Sequence, residues 1–385
     1  MSNKDSGIIR LFEKPNNDYM NKSLAESIKK VYKIKETFKW QDRCNNFSEL
    51  SSVLPPTVRI IVIGDLHGDW NKMIKIYKKA GLIDRDYTSE NYKTSLKWTG
   101  GRTIVVQLGD QIDSCRITNK NESCKFESTT KNDKSDDINI LNFNTDLHKL
   151  AEDDSGAIYS LLGNHELMNV EGNFDYVSYK NILDYSKNYG TRYKSFDSDE
   201  NNFKESINER ITHFKPGNKM ANFLACTRQV ILVIGSNLFV HAGIVPSLVE
   251  KLKKDGINII NDSMRFYLLG LLNDKDKENL SDIFSNSKES PLWNRVYQSK
   301  ILNEKSDKNC EDLLGPITQY WKVGKIFVGH TPQMDTGIRK VCNDRINFVD
   351  YGSSKAFDPW KKDDVKDIQY IEILNDKEVI VHKYD

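Results

Sequence analysis

The chain has 385 residues, 38% hydrophobic and 29% charged, which is enough apolar material for one large core with insertions or for two small ones. Its formal net charge of +1 excludes a global field that would draw in nucleic acid or an anionic membrane. No apolar run reaches the ~18 residues a membrane-spanning helix needs, and the opening MSNKDSGIIRLFEKPNND lacks the apolar centre of a signal peptide, so a soluble cytoplasmic protein is expected.

The first 22 residues are polar and expected to be poorly ordered. Ser23, with Glu26 three positions later, reads as a capping box opening a helix through Trp40. Leu24, Ile28, Val31, Ile34 and Phe38 share one face of it, and the Lys-rich side reads as a solvated face. Pro55-Pro56 halts local structure. Arg59–Ile63 is then an uninterrupted apolar run, the pattern of a strand buried on both faces. It ends in Gly64-Asp65-Leu66-His67-Gly68-Asp69, and a helix is predicted over Trp70–Ala80 with Gly81 at its C-terminus. A carboxylate and an imidazole two residues apart at a strand's carboxyl end form half a metal site, although in isolation an ordinary turn with a capping Asp would explain the loop as well.

The same device recurs. Arg102–Leu108 is a strand ending in GDQID (109–113), and Ala157–Leu162 is a strand ending in GNHE (163–166). Thr227–Ile234 and Leu238–His241 read as a hairpin running into HAG (241–243). Lys325–Val328 ends in GH (329–330), and Ile346–Asp350 is followed by YGSSKAF. Between these lie a polar excursion over 84–100, a stretch near 114–140 read as a flexible surface insertion, a helix over Ile138–Asp153, and a polar and aromatic insertion near 170–222. A helix-rich stretch over 246–288 precedes the irregular PLWNR (291–295), and a hairpin closes the chain. With no repeat and no evident linker, one domain is expected: an N-terminal extension with a helix over 1–57 and the main domain over 58–385.

Cys44, Cys115, Cys124, Cys226, Cys310 and Cys342 contain no CxxC pair, which argues against a zinc knuckle and a dense disulfide framework. Cys115 and Cys124 bracket a polar loop and could pair, but six free thiols in a reducing compartment are the expectation.

Five strand ends thus carry Asp65 with His67, Asp110, Asn164 with His165, His241, and His330, each with Gly close by. Two divalent cations about 4 Å apart need several nitrogen and oxygen ligands and a shared carboxylate, and this set supplies them. His148, His213 and His382 lack that setting and read as packing or surface histidines.

GDLHG, GDQID, GNHE, HAG and GH together resemble the five blocks of the calcineurin-like metallophosphoesterases, across residues 60–355. HAG, PLWNR and the tail GHTPQ…INFVDYGSSKAF look closer to the Shewanella-like protein phosphatases than to calcineurin itself, and VDYGSS stands where the serine/threonine enzymes usually carry SAPNY. The resemblance implies an α/β metallophosphoesterase fold, a central two-sheet β-sandwich flanked by helices with metals at its loop end. It implies Asp65, His67 and His330 around a first metal, Asp110 as the bridge, and Asn164 and His241 around a second, the ions being Mn, Fe or Zn. It further implies in-line attack on a phosphomonoester by a bridging hydroxide, with His165 as general acid held by Asp113, and Glu166 behind them. The family usually reads GDxxDRG, whose Arg grips phosphate; here Ser114 stands at that place and Arg116 follows two residues later. A hydroxyl cannot replace the guanidinium fork, so the grip falls to Arg295 of PLWNR or to Arg116, with Arg295 favoured.

A phosphoprotein is the expected substrate, with no nucleic-acid or membrane partner, and the sequence gives no oligomeric state. Two other readings stand beside it. One is a hydrolase of dinucleoside polyphosphates or another small phosphoester, with Tyr176, Tyr179 or Trp293 stacking on a base. The other is a scaffold on a dead phosphatase fold, whose only support is the missing Arg at 114.

Overall fold

The computed structural model describes residues 22–130, 133–188, 199–303 and 307–385, so the expectation for the N-terminal tail lies outside the described residues. Its strands, in chain order, are β1 (Val53–Leu54), β2 (Arg59–Ile63), β3 (Ile104–Gln107), β4 (Ala157–Leu161), β5 (Arg228–Gln229), β6 (Ile231–Ile234), β7 (Asn237–Val240), β8 (Lys325–Val328), β9 (Arg339–Val341), β10 (Ile346–Phe348), β11 (Ile368–Leu374) and β12 (Glu378–Tyr384). They form two six-stranded sheets, β1-β6-β7-β8-β10-β9 and β12-β11-β2-β3-β4-β5. β2, β3, β4 and β5 run parallel in one sheet, and β7, β8 and β10 run parallel in the other.

The apolar runs are continuous because both faces of each sheet are covered. Ile60, Val62 and Val106 pack inward against Leu232, Ile234, Phe239 and Phe327 of the opposite sheet. Their neighbours Ile61, Ile63 and Val105 point the other way, onto helices α2 (Trp70–Lys79) and α3 (Asp137–Glu152). The other sheet's outer face is buried beneath α1 (Lys22–Thr37) and the helices of the 246–321 stretch. The fold is therefore the expected two-sheet sandwich flanked by helices. No described helix is long and apolar enough to cross a membrane.

Four local expectations are corrected. Helix α1 is already running at Lys22, so Ser23 sits inside it rather than capping it. The segment expected as one strand over Thr227–Ile234 is two: β5 belongs to one sheet and β6 to the other. Asn261 Oδ1 accepts from the backbone N–H of both Val230 and Ile231, each at 2.9 Å, and fixes the chain where it crosses between sheets. Nothing in an apolar run announces such a crossing.

The 114–140 segment is a surface insertion only in its middle: residues 117–121 and 125–128 are exposed, whereas Ser114, Cys115, Cys124, Asp133, Ser135 and Asp136 are buried. Its polar groups bond one another, Ser114 Oγ to the Asp133 carboxylate and Ser135 Oγ to Asp184 Oδ2 at 2.9 Å. A polar composition cannot distinguish a solvated loop from a buried, hydrogen-bonded one.

The cysteines are not free thiols. They form Cys44–Cys226, Cys115–Cys124 and Cys310–Cys342, with Cα separations of 5.3, 5.8 and 5.7 Å, inside the range a disulfide bridges. Only the second pair is close in sequence; the first joins residues 182 positions apart. Such pairing is the habit of oxidising surroundings, so the premise of a reducing compartment loses its support.

Phe327 stacks on Phe239 with ring centroids 5.0 Å apart, fully buried between the sheets. Phe327→Ala should lower unfolding free energy by about 3–5 kcal/mol in a urea titration. A loss below about 1 kcal/mol would mean that the two sheets do not depend on this contact.

Candidate active site

All the signature loops leave the carboxyl ends of strands, and the loops after β2 and β3 are sewn together. Leu66 and His67 N–H both donate to the Asp110 carbonyl at 3.0 Å, and Gly68 N–H donates to that of Gln111 at 2.9 Å. His67, Asp110, Asp113 and His330 have φ of 42°, 49°, 72° and 64°, the left-handed region that side chains seldom enter. Backbone strain of this kind gathers at functional sites. Asp69, not Asp65, caps α2, its Oδ1 accepting from Lys72 N–H at 3.0 Å, which leaves the Asp65 carboxylate free of that duty.

Close approach excludes side chains at two glycines. A Cβ on Gly163 would lie 2.1 Å from Asp110 Oδ1, and one on Gly329 would lie 2.2 Å from Asp65 Oδ1. Helix α4 (Asn164–Val170) starts directly after Gly163. Its Glu166 carboxylate accepts from Gly163, Asp110 and Gln111 N–H at 2.7, 3.0 and 2.8 Å, clamping the β3 and β4 loops against each other.

The side chains converge on Asp110. Its Oδ2 is 3.2 Å from His241 Nε2 and 3.8 Å from Nε2 of both His67 and His165. Two buried clusters result, His67 with Asp110 and His165, and Asp110 with His241 and His330, sharing the Asp110 carboxylate. Asn164 Oδ1 joins the second, 3.0 Å from His241 Nε2. His330, which the resemblance grouped with Asp65 and His67, has its imidazole beside His241 instead, the ring centroids 5.0 Å apart, and meets Asp65 through its backbone N–H at 3.0 Å. The reason is that β8 and β7 are neighbours, whereas β2 lies in the other sheet. His241 Nδ1–H donates to the Leu108 carbonyl at 2.8 Å, which aims Nε2 at Asp110.

The charges are poised for a cation. Asp65 is 1% exposed, and its Oδ1 has no hydrogen-bond partner. Burial, with the Asp350 and Asp110 carboxylates beside it, pushes Asp65 well above the usual carboxylate range. Burial also raises Asp110, but His241, His165 and His67 outweigh it and hold that carboxyl well below its ordinary value. Burial and the Arg116 guanidinium depress His67, and burial and His241 depress His330, whereas Asp110 raises His241 against its burial. Cations held at about 2.0–2.2 Å by N and O atoms place those atoms roughly 3–4 Å apart. The spacings around Asp110 and the orphaned Asp65 oxygen fit that requirement. His148, His213 and His382 take no part, bonding instead to Ile158 N–H, Tyr185 Oη and Glu372.

His165 Nδ1 lies 2.8 Å from Asp113 Oδ2, and its Nε2 faces a cavity of about 440 Å³ lined by His67, Asp110, Asn164, His330, Arg116 and Arg295 among others. Both candidate arginines reach it. The Arg116 guanidinium lies between Tyr176 and Phe357, 4.9 and 4.8 Å from their centroids, and its Nη2 is 3.3 Å from Nε2 of both His67 and His165. Arg295 Nη1 donates to the His330 carbonyl at 3.2 Å. The Cys115–Cys124 loop carries Arg116 inward, while Ser114 turns away to the Asp133 carboxylate. Tyr176 and Trp293 line the cavity, whereas Tyr179 stacks on Phe203.

The five motifs do not include Asp350. It is buried, lines the cavity, and is pushed up to about 6 by burial and by Asp110, against the Gly352 N–H that holds it down. It too ends a buried apolar strand, the signal that marked Asp65 and Asp110. Ser353 and Ser354 hydroxyls donate to the carbonyls of Asp65 and His67 at 2.6 and 3.2 Å.

This sandwich, with two buried His and Asp clusters at its strand ends, is that of a phosphoester hydrolase. The chain belongs to the calcineurin-like phosphoesterase family, whose sequence pattern matches residues 58–334. It is 39% identical over 249 residues to an uncharacterized protein of Acanthamoeba polyphaga mimivirus, covering 60% of this chain and 94% of that one. It is 27% identical over 348 residues to Shewanella-like protein phosphatase 2 of Arabidopsis thaliana, covering 84% and 79%. In fold it is similar to a cold-active protein tyrosine phosphatase, with a TM-score of 0.62 at 19% identity, covering 88% of this chain and 80% of that one.

Gly329→Ala should push aside the Asp65 carboxylate. Mn²⁺ affinity, read by isothermal titration, should fall at least ~10-fold, the scale of losing a ligand's support. Unchanged affinity would separate Asp65 from cation binding.

Proposed function

We propose that the protein is a dinuclear metal-dependent phosphomonoesterase acting on phosphoproteins. The observation that carries this reading is the single Asp110 carboxylate shared by two buried ligand clusters. Asp65 and His67 would hold one divalent cation, Asn164, His241 and His330 the other, and Asp110 both; the mixed oxygen and nitrogen set suits Mn, Fe or Zn. Bound there, the cations supply a water acidic enough to attack phosphorus at neutral pH and offset charge on the phosphoryl oxygens.

The chain's own residues do the rest. Arg116 and Arg295 bind the phosphoryl oxygens from two sides of the cavity, Arg116 as a fork already fixed between two rings. Asp113 accepts the His165 Nδ1–H and keeps that imidazole oriented with its proton at Nε2 toward the cavity. That proton passes to the leaving oxygen as the ester P–O bond breaks and the new P–O bond to water forms. Two features favour a protein substrate over a dinucleoside polyphosphate. Two of the relatives are named as protein phosphatases, and Arg116 already stacks against Tyr176 and Phe357, the rings beside it in the cavity.

Chelated protein should lose p-nitrophenyl phosphatase activity and regain it with Mn²⁺. Asp110→Asn should abolish turnover; full activity in that variant would sink the assignment. Arg116→Ala and Arg295→Ala should each lower kcat/KM by about 10–100-fold, the cost of one charge-assisted contact. Comparing a phosphopeptide with diadenosine tetraphosphate tests the substrate class, and faster turnover of the dinucleotide would reverse it.

A further inference from the structure

We propose that Arg210, in the helical insertion between β4 and β5, is the positioning residue of the His165–Asp113 pair. The inference rests on the reading of His165 as the general acid. Arg210 lies on helix α6 (Asp199–Phe214), which follows α5 (Tyr179–Asn188), and its side chain is 0% exposed. Its guanidinium sits among Phe174, Tyr185 and Phe214, 5.2–5.6 Å from their ring centroids. A buried arginine away from the phosphate cavity is costly unless it is well paired, and its contacts lead toward the catalytic pair.

Arg210 Nε donates to Asn169 Oδ1 at 2.8 Å. Asn169 Nδ2 donates to Asp113 Oδ1 at 2.9 Å and to the His165 carbonyl at 2.9 Å. Asp113 Oδ2 faces His165 Nδ1 at 2.8 Å. Arg210 Nη2 lies 3.9 Å from Asp113 Oδ1 and 3.4 Å from Asp137 Oδ2, while Asp137 Oδ1 accepts from Asp113 N–H at 3.2 Å.

The order of donors and acceptors along this relay is forced. Arginine only donates, so the Asn169 carbonyl must face it and the amide N–H groups must face Asp113 and the His165 backbone. One Asp113 oxygen is thus occupied, and the other is left for His165 Nδ1–H, which aims Nε2 into the cavity. Without Arg210 the Asn169 amide is free to turn, and Asp113 and Asp137 are left buried without their common cation. The insertion is therefore tied into the proton-donating machinery as well as walling the cavity.

The test uses leaving-group dependence, because a misaligned acid matters only when the departing oxygen needs a proton. Arg210→Met, Asn169→Ala, Arg210→Lys and His165→Asn are assayed as Mn²⁺-loaded full-length protein on phenyl phosphate, a poor leaving group, and on p-nitrophenyl phosphate, a good one. Arg210→Met and Asn169→Ala should lower kcat on phenyl phosphate by about 10²-fold or more, the scale of general acid catalysis. On p-nitrophenyl phosphate the loss should be only a few-fold, with KM and bound Mn²⁺ unchanged. Arg210→Lys, which keeps the charge without the fork, should recover part of the loss.

Equal losses on both esters in Arg210→Met and Asn169→Ala would show a merely structural role and overturn the proposal. If Arg210→Met does not fold, Asn169→Ala, which leaves Arg210 in place, decides alone. His165→Asn separates the two levels. Selective loss there without selective loss in the other variants overturns only the role of Arg210; no selective loss in His165→Asn overturns the reading of His165 itself.

Discussion

Asp110 Oδ2 has to lie within reach of imidazoles that come from two different sheets, and this constraint dictates much of the surrounding architecture. His67 and His165 follow strands of one sheet, and His241 and His330 follow strands of the other. The sandwich must therefore set the carboxyl ends of both groups of parallel strands at one edge, close enough for His241 Nδ1–H to reach the Leu108 carbonyl across the gap. The loops pay with four side-chain-bearing residues at positive φ, at roughly 1–2 kcal/mol each. The backbone bonds joining Leu66, His67 and Gly68 to the Asp110 loop, and the three that Glu166 accepts, offset that cost. Gly163 and Gly329 complete the arrangement, because a methyl group at either would occupy the space of a carboxylate oxygen.

The electrostatics follow from the same convergence. Asp65, Glu166 and Asp350 are each pushed up by burial and by neighbouring carboxylates, while His67 and His330 are pushed down. At the centre the directions reverse: against the effect of burial, the imidazoles hold Asp110 down and Asp110 raises His241. Arg116, whose guanidinium burial also drives below its ordinary value, leans on the same rings. Arg116 and Arg295 thus bring fixed positive charge to a cavity lined by the buried Asp110 and Asp350.

The strands and the ligand loops were legible because each announces itself locally, as an apolar run that stops at Gly and a polar residue. That signal also covers Asp350, which ends the run Ile346–Val349. What was not legible depends on distance through the fold. The crossing at Val230, the grouping of His330 with His241, and the pairing of Cys44 with Cys226 are each decided by which strands and helices become neighbours. Arg210 shows the limit most clearly. It stands in SINERITHF (206–214), a helical stretch without any motif, and only the folded chain shows its guanidinium between two buried carboxylates.

The displaced arginine finds its explanation in the same packing. At position 114 the side chain faces Gly68, whose added Cβ would lie 2.7 Å from Ser114 Cβ and 2.7 Å from Asp137 Oδ1. Ser114 then bonds to the Asp133 carboxylate and lies 3.2 Å from the Asn181 amide nitrogen. A guanidinium there would have to displace that buried polar cluster. Two residues on, past a cysteine tied to Cys124, the chain regains the cavity, and Arg116 enters it flanked by Tyr176 and Phe357. Asp137 lies at the junction of both arrangements, against Gly68 on one side and Arg210 on the other. The loop that brings Arg116 to the cavity and the insertion that carries Arg210 are therefore parts of one buried polar network, built from the two segments whose composition looked most like solvent-exposed loop.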